Sequence, residues 1–178
     1  MWDMIRALPG AYLTELRLNC RRLSFRIHET AVGDQDGEVP IHINAHRHSS
    51  SILKLGVTHR EAFPFATEET TKTVKLVRLD SIFRNHDFER PVLLKLDIQG
   101  YEPEALRGAA GILSRIDYVL IETSFRPMYD GETVFTEILS LMQSFGFRFL
   151  RPIDWLEDPR TGEVLQMDAL FARGDSSL

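Results

Sequence analysis

Apolar and polar positions recur along this chain in two periods, and the switches between them mark out its elements. Over residues 9–22 the apolar positions Leu13, Leu16 and Cys20 follow helical spacing behind Pro9, which suits a first turn. In "FRIHETAVGD" the period falls to two, with Phe25, Ile27, Glu29 and Ala31 set against Arg26, His28, Thr30 and Val32, as in a strand. Asp36–Gly37 reads as a turn, and Val39, Ile41 and Ile43 alternate in a second strand. "NAHRHSSS" is a polar loop. Residues 74–79 alternate again, and a short helix is expected from about Asp80. "RPVLLKLDI" is nearly continuously apolar, the pattern of a central parallel strand covered on both faces. The helix behind it sets Leu106, Ala109, Ala110 and Leu113 on one face. "YVLIETS" reads as a second buried strand, ending in the acid Glu122. Val134, Ile138, Leu141, Met142 and Phe145 then share a helix face that Gly146 ends. "FRFLRPI" and "QMDALFAR", joined by a turn around Pro159 to Gly162, make an antiparallel hairpin.

Strand, helix, strand, helix and then a hairpin describe an α/β sheet with a mixed edge. Right-handed crossovers set the two buried strands side by side, so Asp97 and Glu122 emerge on one rim. Open α/β sheets bind their ligands at that rim. Charge at the mouth of a core costs desolvation unless it is partnered, which makes both acids candidate site residues. At 178 residues the chain suits one core and a single domain. A net charge of -5 without any basic block speaks against a nucleic-acid surface. Cys20 is the one cysteine, which leaves no internal disulfide and no cysteine-based metal site. No apolar stretch reaches the roughly 20 residues of a membrane span, so no membrane partner is expected. Met1 to Leu8 lack the layout of a signal peptide, and a cytoplasmic location is expected.

"LLKLDIQGYEPEALRGA", "VLIETSFRPMYDG", "LSLMQSFGF" and "QMDALFAR" resemble the FkbM-type O-methyltransferases, which use S-adenosylmethionine. "ETAVGDQDGEVPIHI", "SSSIL" and "VRLDSIF" resemble that family's preceding segments, so the resemblance spans roughly residues 10 to 173. It implies a class I methyltransferase sheet, a Rossmann-like α/β fold with strand order 3-2-1-4-5-7-6. "KLDI" would be strand four, "LIETS" strand five, and the antiparallel C-terminal hairpin strands six and seven. The family also places a Gly-rich loop after its first strand and an acid after its second. The eleven glycines here include no G-x-G pair. The expectation is therefore one domain over residues 1–178, N-terminally truncated and lacking the first two strands. The inner edge of "VLLKLDI" would then be unpaired and open to self-association, with weak or no binding of S-adenosylmethionine by this chain alone.

For Asp97 the resemblance implies a place close to the reactive methyl group. It could orient the acceptor hydroxyl, take its proton or hold a metal. A helix N-terminal acid, or an ion pair with Lys95, is the alternative. Glu122 is the second catalytic candidate. Gly33 and Asp34, with Asp97, are implied on the cofactor side, although "GDQDG" also reads as a hairpin turn. Gln99, Gly100, Glu102 and Trp155 are the candidates for substrate contact. Gly100 permits a tight turn, while Glu102 before Pro103 equally suits a first-turn acid. Gln99 points either into the site or into solvent. Trp155 either stacks on an acceptor sugar or caps the core. Ser49 to Ser51 match a family serine run without a derivable role. His46 and His48 form an H-x-H pair without a third ligand, so no metal is expected. The function implied is methyl transfer to a hydroxyl of a small molecule or glycan, such as a sugar or other secondary metabolite. A non-catalytic remnant that serves as a binding or partner module is the second reading. A metal-dependent hydrolase built on His46, His48 and Asp97 would be the third.

Overall fold

The computed structural model of the chain describes residues 2–5, 25–44, 50–62 and 68–174. In chain order it contains β1 (Trp2–Ile5), β2 (Phe25–His28), β3 (Ala31–Val32), β4 (Gly37–Asn44), α1 (Val57–Ala62) and β5 (Glu68–Val77). There follow α2 (Leu79–Phe83), β6 (Leu93–Leu96), α3 (Glu102–Gly108), a 3-10 turn (Leu113–Arg115) and β7 (Tyr118–Ser124). The chain continues through α4 (Phe135–Ser144), β8 (Phe147–Glu157) and β9 (Val164–Arg173). The helix expected over 9–22, with Cys20, lies outside the described residues, as do His46, Arg47, His48 and Ser49.

The fold is mixed α/β. The main sheet has the order β6-β7-β9-β8, in which β6 and β7 are parallel and β9 and β8 antiparallel. That is the arrangement expected for "KLDI", "LIETS" and the hairpin. Its register is set at the strand starts. The Asp117 carboxylate, just before β7, accepts the Val92 amide at 2.7 Å and the Arg90 guanidinium, tying the start of β6 to that of β7. The hydrogen bond from the Arg90 guanidinium holds the Asp117 carboxyl below the usual carboxylate range. A second mixed sheet has the order β3-β5-β4.

Four expectations need correction. A strand does precede the first expected helix, because Trp2–Ile5 pairs in parallel with Phe25–His28. Four residues with Asp3 among them are too short to display a period. "FRIHETAV" is not one strand but two, broken at Glu29–Thr30 and paired with different partners. There the Thr30 hydroxyl turns back to the Lys75 carbonyl at 2.8 Å. The strand "VLLKLDI" is not covered on both faces, although its edge position among the described residues, hydrogen-bonded to β7 alone, is as expected. Its side chains divide accordingly: Leu96 is buried, while Lys95 is exposed and Leu93 is 46% exposed. Finally, α3 stops at Gly108, so Ala110 is exposed although Ala109 and Leu113 are buried.

One apolar cluster joins the two mixed sheets. Val32, Val77, Leu79 and Phe83 meet Leu96, Leu106, Val119, Ile121, Ile138, Met142 and Phe171. Each such large side chain contributes roughly 1.5–3 kcal/mol when fully buried. A smaller cluster of Leu55, Met128, Tyr129 and Leu165 packs separately, with Leu53 against it. No helix among the described residues is long and apolar enough to cross a membrane.

The end of α3 packs tightly against the bend after β3. A Cβ added at Gly108 would overlap the Gly33 carbonyl oxygen, a backbone atom that cannot swing aside. Gly108→Ala is therefore expected to destabilise the fold by about 1–3 kcal/mol through overpacking. Urea unfolding measures this directly, and an unchanged midpoint would mean that the contact relaxes freely.

Candidate functional site

Strand pairing assembles the site. Leu96 lies opposite Ile121, so the next residues, Asp97 and Glu122, stand side by side, and Asp168 of β9 lies opposite Glu122. Strand alternation turns these acids to the face opposite Leu96, Ile121 and Ala169, which are buried. Asp97 is exposed and Glu122 half-buried. Glu122 does not end its strand as expected; Thr123 and Ser124 continue the pairing to Met167 and Gln166.

Gln99 ties the two leading acids together. Its amide Nε2 donates to Asp97 Oδ1 at 2.9 Å and to Glu122 Oε2 at 2.8 Å. Its Oε1 accepts the Tyr129 hydroxyl, and its backbone carbonyl accepts the Ser51 hydroxyl at 2.6 Å. The residue adopts φ 60°, a left-handed conformation that costs an L-residue roughly 1–2 kcal/mol. Gly100 follows at φ 94°, and a Cβ there would meet Leu53 Cδ1 at 3.0 Å. Lys95 Nζ stands 3.3 Å from Asp97 Oδ2 and 3.8 Å from Asp168 Oδ2. Asp97 thus has the Lys95 ion pair and a place on the rim at once.

Two more carboxylates hold the loops around this centre. Glu102, only 4% exposed, accepts the Ile98 amide at 2.9 Å and so closes the 97–101 turn from beneath. Glu132 accepts the Ser124 hydroxyl at 2.5 Å and the Met128 and Tyr129 amides at 2.5 and 3.0 Å. It thereby sets the loop that carries Tyr129. The Gly56 amide donates to the Met128 carbonyl at 2.8 Å and the Asp130 amide to the Lys54 carbonyl at 2.8 Å, which docks residues 50–56 on the same loop.

Burial shifts these acids. It pushes Glu122 up to about 8, helped by the charges of Asp97, Glu102 and Asp168 and opposed by Lys95. Burial likewise pushes Glu102 up to about 8, against the pull of its backbone hydrogen bonds. Glu132 and Asp168 rise for the same first cause, as does the Tyr129 phenol. Glu122 and Glu102 accordingly keep their protons over most of the neutral range. The rim can accept a proton at one carboxylate and present one at its neighbour.

The remaining candidates lie further out. Gly33 is buried and its amide donates to the Val77 carbonyl at 3.1 Å, while Asp34 is exposed on the bend that follows. A Cβ at Gly33 would meet the Tyr101 ring, so this bend lies one side chain from the rim turn. Trp155 is 55% exposed on β8, where its indole donates to Glu157 at 2.8 Å. It does not cap the core. Among the described residues no group of three His, Cys, Asp or Glu side chains is arranged for a metal ion. Sequence reasoning did not single out Tyr129, Glu132 or Asp168. Asp168, a lone acid inside the apolar "QMDALFAR", was the one with a visible signal.

Comparison with known proteins adds the following. Residues 2–149 match the family model of the methyltransferase FkbM domain. The 2-O-methyltransferase NoeI of Sinorhizobium fredii (strain NBRC 101917 / NGR234) is 23% identical over an alignment of 126 residues that covers 67% of this chain and 52% of that protein. The crystal structure of methyltransferase FkbM from Methylobacillus flagellatus KT aligns with a TM-score of 0.48 at 16% identity. That alignment covers 96% of this chain and 36% of the solved one. The chain thus spans about half the length of the curated relative and about a third of the solved structure.

The buried acids imply a pH dependence of stability. Glu102 binds its proton more tightly folded, at about 8, than unfolded, near 4.5. The stability this contributes is complete below the unfolded value and is lost as pH rises through about 8. Glu102→Gln keeps an acceptor for the Ile98 amide but cannot titrate. Its unfolding midpoint in urea should therefore fall less than the parent's between pH 5 and pH 8. Glu122 leaves a residual slope in both. Identical slopes would show that Glu102 does not titrate in that range.

Proposed function

The chain belongs to the methyltransferase FkbM domain family, and from that premise we propose that it takes part in O-methylation of a hydroxyl on a sugar or other secondary metabolite. The observation that carries this reading is Asp97: an exposed carboxylate at a parallel strand end, held by Gln99 and Lys95 beside Glu122. Family membership implies S-adenosylmethionine as the methyl donor. The described residues fit the transfer end of that donor, because the strand-end carboxylate is exposed and oriented from two sides. They contain no Gly-rich loop for its remaining part, and Asp34 beside Tyr101 is the acid nearest to hand for the nucleoside. When bound, S-adenosylmethionine supplies an electrophilic methyl group.

The chain's own residues do the rest. Asp97 accepts the hydrogen bond of the acceptor hydroxyl and so sets the direction of its lone pair, which supplies much of the catalysis where alignment dominates. As the oxygen becomes an ether, its proton passes to an Asp97 carboxylate oxygen. Glu122, holding its own proton at neutral pH, is able to donate to a second oxygen of the acceptor. Lys95 offsets the negative charge on Asp97 before transfer.

The missing G-x-G pair favours one second reading, a domain without catalysis that keeps the fold as a binding module. One experiment addresses both. With labelled S-adenosylmethionine and a panel of sugar acceptors, Asp97→Asn is expected to lower kcat by about 10²–10⁴-fold while barely moving cofactor affinity. Equal turnover in mutant and parent would remove Asp97 from the mechanism. Absence of transfer from the parent to every acceptor would favour the non-catalytic reading.

A further inference from the structure

We infer that Gln99 and Tyr129 form a single positioning unit, in which the Tyr129 hydroxyl fixes the Gln99 amide so that its Nε2 holds Asp97 and Glu122 at one spacing for the acceptor. This deepens the function proposed above and rests on it for the role of Asp97. Three observations carry it. The amide spends both of its N–H groups on the two acids, at 2.9 and 2.8 Å, so neither remains for another partner. Its orientation is set by two partners, because Oε1 is engaged by the Tyr129 hydroxyl and Asp97, ion-paired with Lys95, offers its oxygen as an acceptor to Nε2. Lastly, Gln99 stands at φ 60°, a conformation that persists only where its surroundings impose it. The Ser51 hydroxyl on its carbonyl and Tyr129 on its side chain impose it from two different loops.

Tyr129 is itself built in. Its ring packs with Leu55, Met128 and Leu165, and its amide donates to Glu132 at 3.0 Å. The position of the hydroxyl is therefore decided by packing remote from the acids. A shift of the 125–134 loop would reach Asp97 and Glu122 through the amide. Gln99 is in this sense a positioning residue rather than a catalytic one: it acts through the two carboxylates.

The test uses Tyr129→Phe, which keeps the packed ring and deletes the hydroxyl, and Gln99→Met, which keeps the side-chain length and deletes the donors. In the full chain without substrate or cofactor, the Glu122 carboxyl is followed by carbon-13 NMR. The charged groups facing it are Lys95 on β6 and Asp97 just after it, Glu102 from α3 and Asp168 from β9, with the Tyr129 phenol on the loop. Gln99→Met deletes the donor to Glu122 and Tyr129→Phe frees it to turn away, so the Glu122 titration should move upward in both variants. In turnover assays each variant should lower kcat/KM for the acceptor by roughly tenfold to a hundredfold, with cofactor affinity unchanged. The double variant should lose no more than Gln99→Met alone, as expected of one unit. A Glu122 titration identical to the parent's, or additive losses in the double variant, would overturn the inference. The titration needs no transfer, so an inert Asp97→Asn result would sink the functional reading while leaving this unit standing.

Discussion

Like charges crowd one sheet rim, and the local structure is organised by the need to accommodate them. Asp97, Glu102, Glu122, Glu132 and Asp168 influence one another there, with the Lys95 ammonium between two of them. Carboxylates this close, in a half-buried setting, do not all ionise together. Each is given its own answer. Backbone amides go to Glu102 and Glu132, the Gln99 amide is shared by Asp97 and Glu122, and Lys95 faces Asp97 and Asp168. Burial then leaves protons on Glu102 and Glu122. Loop shape follows from this allocation, because the amides that satisfy the buried acids belong to the turns that must be held.

The same allocation separates anchoring acids from those that face outward. Glu102 and Glu132 are buried and spend their oxygens on the 97–101 turn and the 125–134 loop. Asp97 is exposed and Glu122 half-buried, both aimed away from the apolar face. The protonated Glu122 beside Asp97, which pairs with Lys95, suits an acceptor with hydroxyl groups, which both give and take hydrogen bonds.

Much of this was legible in the sequence, and the parts that were not share a cause. The two apolar runs ending in "LDI" and "IETS" themselves announced neighbouring parallel strands, whereas the place of "QMDALFAR" beside these strands followed from the family resemblance. For the two runs, periodicity sufficed, because each signal lies within a few residues. The strand Trp2–Ile5 escaped because four residues carry too little pattern. The exposure of Leu93 and Lys95 on β6 escaped because a nearly continuous apolar run reads as covered on both faces. Tyr129 and Ser51 escaped for a different reason. They reach Gln99 across 30 and 48 residues, distances at which no local spacing is informative. Glu102 remained ambiguous because a first-turn acid and a buried turn anchor look alike in sequence; only its depth separates them.

Counting protons on the rim tests the account most directly. Carbon-13 NMR of the Asp and Glu side-chain carboxyls in the unmodified chain, from pH 3 to pH 9, reports each group's protonation. The account predicts that the Glu102 and Glu122 carboxyls still carry protons at pH 7 and release them near 8, in coupled steps that belong to the cluster. Release of every carboxyl proton below pH 5 would contradict it, since the rim would then hold its full charge without the protons that the packing requires.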